Sequence, residues 1–271
     1  MILKFLSTTG IMLAILLQQA SPGLAQYQRP GDARPTNRQG TTTTGTRGDG
    51  QLIQLTPKSH IGLSTSSHPT FSWFVAEGTL LPGELQLYER STDGRYSRVL
   101  ETPHQFVSEP GFMSFTLPNE LPGLKPNTTY SWQLVLRNRE FPNDIVIQTR
   151  SEIEILDEGT IIREPLDSPL TETPLTETSL TETIERLSRS GLWYDALALT
   201  LSLPAAESHS HRNSLLIELA EVELSEAESR SIALPAETHQ TDRLIAHAQG
   251  LKEIASLESE ERLSSLLMRL Q

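Results

Sequence analysis

Leu124-Lys-Pro126-Asn-Thr128-Thr-Tyr130-Ser-Trp132-Gln-Leu-Val-Leu136 is the stretch on which the fold turns. Pro126 fixes its own φ and stiffens the approach. Tyr130 then opens a run in which large apolar residues recur at every second place, the period of a strand with one buried face. Outward from it, the same period repeats from about Leu52 to Leu156, with turn residues at regular intervals. Thr70-Phe-Ser-Trp-Phe-Val75 reads as a strand behind Pro69. Glu84-Leu-Gln-Leu-Tyr-Glu89 alternates, Thr92-Asp93-Gly94 turns the chain, and Tyr96-Ser-Arg-Val-Leu100 returns, which predicts a hairpin. Phe112-Met-Ser-Phe-Thr-Leu117 is a further strand, stopped by Pro118. Asp144-Ile-Val-Ile-Gln-Thr149 and Glu152-Ile-Glu-Ile-Leu156 complete the set. Six or seven short strands within 51–157 predict an antiparallel β-sandwich.

The approach to Tyr130 resembles the tyrosine corner of fibronectin type III and immunoglobulin-like domains. In those domains the Tyr hydroxyl bonds back to the backbone a few residues upstream. Trp73 and Trp132 are then expected as core aromatics from opposing sheets. The rival reading makes Trp73, Tyr88 or Trp132 a sugar-stacking platform, but aromatics on alternating strands more often face the core.

The N-terminus fixes the compartment. Lys4 precedes a short apolar core, Ile11-Met-Leu-Ala-Ile-Leu-Leu17, then Pro22 and the small residues of Gly23-Leu24-Ala25. This is the layout of a secretory signal peptide over 1–25. The apolar run is too short for a membrane span, which needs about 20 residues. The mature chain is therefore expected to start near Gln26 and to be exported, periplasmic or secreted, with no transmembrane span left after cleavage. Residues 26–50 hold Arg29, Pro30, Gly31, Arg34, Pro35, Arg38 and Thr41-Thr-Thr-Thr44 but almost nothing apolar, and read as a flexible leader.

The chain contains no cysteine, so disulfides and thiol chemistry are excluded. The net charge of −12 splits into +2 over residues 1–150 and −14 over residues 151–271. Nucleic-acid binding needs a basic face, and none is indicated. An acidic second half suits a solvated helical surface or a basic partner.

Pro169-Leu-Thr-Glu-Thr173, Pro174-Leu-Thr-Glu-Thr178 and Ser179-Leu-Thr-Glu-Thr183 are near-identical pentapeptides. Proline at a five-residue interval favours extended chain, so 158–183 reads as a semi-rigid acidic linker. The copy without proline lets a helix begin, with Thr181 or Thr183 as its cap. Residues 184–271 are helical by period: Trp193, Ala196, Leu197, Thr200 and Leu201 before Pro204, then a helix capped by Asn213. Leu244, Ala248, Leu251 and Ala255 line a later helix, and Leu263, Leu266, Leu267 and Leu270 a last one. Gly191-Leu-Trp193-Tyr-Asp-Ala196 resembles the turn of a tetratricopeptide-like pair of antiparallel helices. One copy cannot build a solenoid, so a cluster of helical hairpins is expected.

Taken together, the signal peptide, Asn37-Arg-Gln-Gly40, Thr46-Arg-Gly48, Leu55-Thr-Pro57, the run from Gly62 to Phe74, and Gly191-Leu-Trp-Tyr-Asp-Ala-Leu197 resemble the cyanobacterial family catalogued as domain of unknown function 928. The resemblance runs from about residue 35 to residue 225. It implies an exported cyanobacterial protein with a β domain and a helical tail, and carries no activity, cofactor or catalytic residue. Many relatives have a Cys after the Tyr130 strand, where this chain reads Leu136-Arg-Asn-Arg139.

Motifs of chemistry are sparse. His209 and His211 are close, but zinc takes three or four ligands and no third is spaced to join them, so no metal site and no cofactor are expected. No nucleophile elbow, phosphate loop or His-Glu-x-x-His is present. Glu77, Glu84 and Glu109 lie in or beside the sandwich as ordinary surface acids. The residues singled out, Tyr130, Pro126, Trp73, Trp132, Gly191 and Trp193, are structural. The expected function is a non-enzymatic binding or structural module of the cell envelope, with a protein or polysaccharide of the envelope as partner. A carbohydrate-binding module is the first alternative, and a hydrolase with scattered carboxylates the second.

Overall fold

A computed structural model describes residues 27–31, 42–43, 52–76, 80–157, 177–233 and 238–269. The expected signal peptide, most of the leader, Glu77 and the repeat up to residue 176 lie outside these residues. In chain order the strands are β1 (Thr42–Thr43), β2 (Leu52–Gln54), β3 (Gly62–Ser64), β4 (Thr70–Val75) and β5 (Pro82–Arg90). They continue with β6 (Tyr96–Arg98), β7 (His104–Val107), β8 (Gly111–Thr116), β9 (Thr128–Arg137) and β10 (Ile145–Ile155). Four helices follow: α1 (Glu177–Arg189), α2 (Trp193–Leu201), α3 (Ala205–Ala233) and α4 (Thr238–Arg269).

The strands form two sheets, mostly antiparallel. The seven-stranded sheet runs β1-β10-β9-β5-β6, with β7 also on β5 and β3 lying parallel on β10. The three-stranded sheet runs β2-β4-β8. Between β5 and β6 the chain turns at Gly94, whose φ of +80° suits glycine. The sequence divides the region around β10 into two strands, but Ile145–Ile155 is one strand with an irregularity between Ile145 and Ile147. Gln148-Thr-Arg-Ser-Glu152 contains no Gly, Pro, Asn or Asp, so nothing strong breaks the ladder.

The helices also run longer than their period indicates. Asn213 lies inside α3, not at its start, because Pro204 already provides the entry, its carbonyl accepting the Ser208 N–H at 2.9 Å. Thr181 and Thr183 lie inside α1. His209 and His211 are on α3, and His211 meets the Thr181 hydroxyl at 3.1 Å. The two last helices expected are one helix, α4.

One buried cluster spans the sheets and the helices. Phe71, Trp73, Leu85, Trp132 and Leu134 belong to it, and so do Trp193, Tyr194, Leu215, Leu219 and Leu251. The Phe71 and Trp132 rings, from different sheets, lie 5.1 Å apart. The helices touch β2, β3 and β4. A linker reading sets the two regions apart. Instead they share a core, because an aromatic pair at the start of α2 belongs to both. Tyr27–Gly31 is likewise packed against the helices, although the leader was expected to be flexible: Gln28 N–H bonds the Ser188 carbonyl at 3.1 Å and Arg29 pairs with Glu226.

Candidate functional site

The helices meet the sheets through Gly191-Leu-Trp-Tyr-Asp195. Gly191, at φ +73°, ends α1: its N–H bonds Ser188 O and the Leu192 N–H bonds Leu187 O, the paired bonds of a Schellman cap. A Cβ at Gly191 would stand 2.5 Å from Pro30 Cγ. The chain then points Trp193 and Tyr194 into the sheets. Trp193 Nε1–H donates to Leu55 O at 2.9 Å. The Tyr194 hydroxyl accepts Trp132 Nε1–H at 2.8 Å, meets the Thr56 hydroxyl at 2.8 Å and donates to Glu152 O at 3.2 Å. That fills the capacity of a phenol, one bond donated and two accepted. Asp195 accepts the Ser64 hydroxyl, the Thr65 N–H at 2.8 Å and the Thr65 hydroxyl at 3.0 Å. Gly191 and Trp193 thus dock α2 on the sheets, whereas the sequence assigns them to packing between helices.

Two ionisable clusters sit behind this junction. Lys58 Nζ donates to Gln54 Oε1 at 2.8 Å, to Arg150 O at 3.1 Å and to Ser151 Oγ. Burial lowers its amine to about 7, against the pull of Glu223. Glu223 accepts the Lys58 backbone N–H at 2.5 Å and faces His247 Nδ1 at 2.6 Å, while His247 Nε2 donates to Gln54 O at 3.0 Å. A serine beside a lysine of lowered pKa is the chemistry of a nucleophile and its base. Ser151, however, is 0% exposed and its hydroxyl donates to Gln54 Oε1 at 2.9 Å. The second cluster links Tyr27 Oη to His60 Nε2 at 2.7 Å and His60 Nδ1 to the Ser59 hydroxyl at 2.8 Å. Burial, and then Arg29, hold the His60 imidazole down at about 3, so it is neutral. Ser59 and His60 are both fully buried. The first chain of groups ties the loop of Lys58 to α3 and α4, and the second ties the amino-terminal segment to the loop of Ser59 and His60.

A line of polar side chains, half-buried except for the buried Gln133, runs across the outer face of the seven-stranded sheet. Alternation sends Glu84, Gln86 and Tyr88 of β5 to that face, with Gln133 and Arg137 of β9 and Gln148 of β10. These side chains form one line of bonds. Gln148 Nε2–H donates to Gln133 Oε1 at 2.9 Å, and Gln133 Nε2–H to Gln86 Oε1 at 2.5 Å and to Tyr88 Oη at 3.3 Å. Tyr88 donates to Gln86 Oε1 at 2.7 Å and Gln86 to Glu84 Oε2 at 2.8 Å. Arg137 grips Glu84 through Nε at 3.0 Å and Nη2 at 3.3 Å, and holds its carboxyl below the ordinary range. At the other end of the face Arg90 lies 3.8 Å from Glu152, and the Arg150 guanidinium sits 5.1 Å above the Tyr96 ring. Glu84 and Glu152 are each met by an arginine, and Arg150, in register with Gln133, is stacked on Tyr96.

The residues singled out in the sequence fall into three places. Tyr130 accepts the Lys125 N–H at 2.9 Å, five residues back, with Pro126 between them. Trp73 and Trp132 are 1% and 0% exposed, which removes both from any sugar platform, while Tyr88 stands on the outer face. Glu84 is engaged by Arg137, and Glu109 is an exposed loop acid. Tyr194, Asp195 and Lys58 escaped the sequence reading, because their partners lie far away along the chain. The glutamine strip had a signal: Gln86, Gln133 and Gln148 each occupy a polar place in an alternating strand. No group of three or more His, Asp or Glu suited to a metal occurs among the described residues. Nor is any helix there long and apolar enough to cross a membrane.

The family described as Domain of Unknown Function (DUF928) matches residues 30–232. No curated protein matches the chain. Among solved structures, the third fibronectin III domain of a human protein is similar over 47% of this chain and 98% of its own length, at 12% identity and a TM-score of 0.23. Astrotactin-2, a conserved vertebrate-specific and perforin-like membrane protein involved in neuronal development, is similar over 74% of this chain and 39% of its own, at 12% identity and a TM-score of 0.22.

Proposed function

This chain belongs to the DUF928 family, and from that premise we propose that it is an exported, non-enzymatic binding module of the cell envelope. The β part acts as an immunoglobulin-like sandwich, and the helices act as a hairpin cluster that buttresses it. One observation carries this reading. The outer face of the seven-stranded sheet carries side chains held in place by one another, while the helices take up β2, β3 and β4 on the other side. Groups fixed before a ligand arrives lose little freedom on binding, which is what a recognition surface needs. The buried clusters are used in joining a loop to the helices and the amino-terminal segment to that loop, which favours binding over catalysis.

The test is fractionation of a host that carries the tagged full-length chain, followed by crosslinking. Recovery in the envelope or medium, with one crosslinked species that disappears in the Gln86→Ala/Gln148→Ala double variant, supports the proposal. Recovery in the cytoplasm alone refutes export. A crosslinked species unchanged in the double variant takes the binding surface elsewhere.

A further inference from the structure

We infer that the strip Gln148–Gln133–Gln86–Tyr88 binds an uncharged polysaccharide chain, an inference that rests on the binding-module reading above. The first ground is the chemistry of the strip. Three planar amides and one phenol lie across three adjacent strands, β10, β9 and β5, joined by bonds of 2.5 to 2.9 Å. Strands stand about 4.8 Å apart, so the line offers a planar polar group at each strand-to-strand step. A sugar chain repeats ring by ring, and each ring carries hydroxyls that both donate and accept. An amide edge meets a pair of such hydroxyls with one donor and one acceptor.

The second ground is what the internal bonds leave over. Gln133 spends both amide hydrogens on Gln86 and Tyr88 and its carbonyl on Gln148. Among the described residues, Gln148 keeps its carbonyl and one amide hydrogen, and Gln86 keeps one amide hydrogen, free of protein partners. Gln133 is thus the fixed centre, and the residues on either side present the open valences. Tyr88 adds a half-buried ring whose hydroxyl is already committed to Gln86, leaving the ring to meet the C–H face of a sugar.

The third ground is charge. The chain carries −12 overall, yet this strip has no formal charge and the carboxylate beside it is neutralised by Arg137. A polyanionic ligand would meet an acidic protein, and the guanidinium of Arg150, in register with Gln133, is stacked on the Tyr96 ring. A protein partner is recognised through a large apolar centre with aromatic anchors, which a row of glutamines does not supply. A neutral polyol matches the strip in charge and in hydrogen bonding.

Affinity electrophoresis of the full chain in native gels tests the inference. The gels contain hydroxyethyl cellulose, dextran or laminarin as neutral probes, polygalacturonate as the acidic probe, or no polymer. The expected result is retardation by at least one neutral polymer. Tyr88→Ala is expected to weaken it about tenfold, and Gln148→Ala several-fold, with unchanged melting temperatures for Gln148→Ala. Gln148→Ala is the safeguard, since its side chain is at the end of the strip and Tyr88→Ala also removes packing. No retardation by any neutral polymer overturns the inference. So does retardation by polygalacturonate alone, which leaves the binding-module reading standing with another ligand class. Retardation that survives both substitutions places the sugar off the strip and also overturns it.

Discussion

Removing a single oxygen at Tyr194 tests the claim that sheets and helices are one cooperative body. In Tyr194→Phe the ring keeps its volume, so no cavity term enters. The loss is confined to three bonds. Trp132 Nε1–H, on a fully buried side chain, is left without its acceptor at 2.8 Å, and an orphaned buried donor costs about 1–3 kcal/mol. The Thr56 hydroxyl loses a partner at 2.8 Å, worth about 1 kcal/mol. The Glu152 carbonyl is on β10, where the strand ladder still serves it, so its share is small. The total is about 3 kcal/mol, which for a body of this size lowers Tm by about 6–12 °C. Urea denaturation followed by tryptophan fluorescence, with near-ultraviolet circular dichroism as a second probe, measures it. Tyr130→Phe is the control, since it gives up one bond, to Lys125 N–H, and is expected to cost about 1 kcal/mol. If Tyr194→Phe costs no more than Tyr130→Phe, the phenol is not the bolt between the two halves. If the two probes give separate transitions in the unsubstituted chain, the single core itself is refuted.

Gly191→Ala forces a side chain onto φ +73° and against Pro30, and is expected to cost at least about 1 kcal/mol and to expose Tyr27–Gly31 to protease; an uncut segment and an unchanged melt would reject that contact. Glu218 is raised to about 7 by burial, with Glu221 and Glu185 adding repulsion, although the Tyr27 N–H opposes the shift. The folded chain thus holds this proton more tightly than the unfolded chain, so the contribution is full below about pH 4.3 and is lost as pH rises through about 7. Glu218→Gln is expected to flatten that decline and to add about 1 kcal/mol at pH 8, discounted for a half-exposed group; an unaltered pH profile of Tm would rule it out. A protease site inserted between residues 158 and 176 and then cut is expected to leave two pieces that elute together on gel filtration, and separate elution would mean the shared core does not hold.

The β part was legible because one physical variable, apolar alternation, governs it. Phe71, Trp73 and Val75 on β4, and Tyr130, Trp132, Leu134 and Leu136 on β9, announce their buried face at every second residue. The same pattern missed β3 and β7, where Gly62–Ser64 and His104–Val107 are held by register with a neighbour more than by their own residues. Gly191 was legible as a helix stop. What α2 faces was not, since period 3.6 places Trp193 and Ala196 on one side without saying whether helix or sheet lies there. Tyr194 and Asp195 owe their roles to Thr56, Ser64 and Trp132, and such pairings have no local signature. Tyr27 was the one aromatic residue in a polar leader, a hint that only a seat 191 residues further on makes meaningful.

That separation bears on when the molecule becomes whole. Tyr27 leaves the ribosome first, but the carboxylate that takes its N–H lies 191 residues downstream, and the partner of Arg29 lies 197 downstream. Closing loops of that length is slow, so the start of the chain is fastened after nearly everything else has been made. A chain cut short before Glu218 loses more than its last helices: the ring of Tyr27 still finds His60 and Trp193, but its N–H and the Arg29 guanidinium lose their carboxylates. The far half of α3 is thereby a condition for the last two fastenings of the amino terminus.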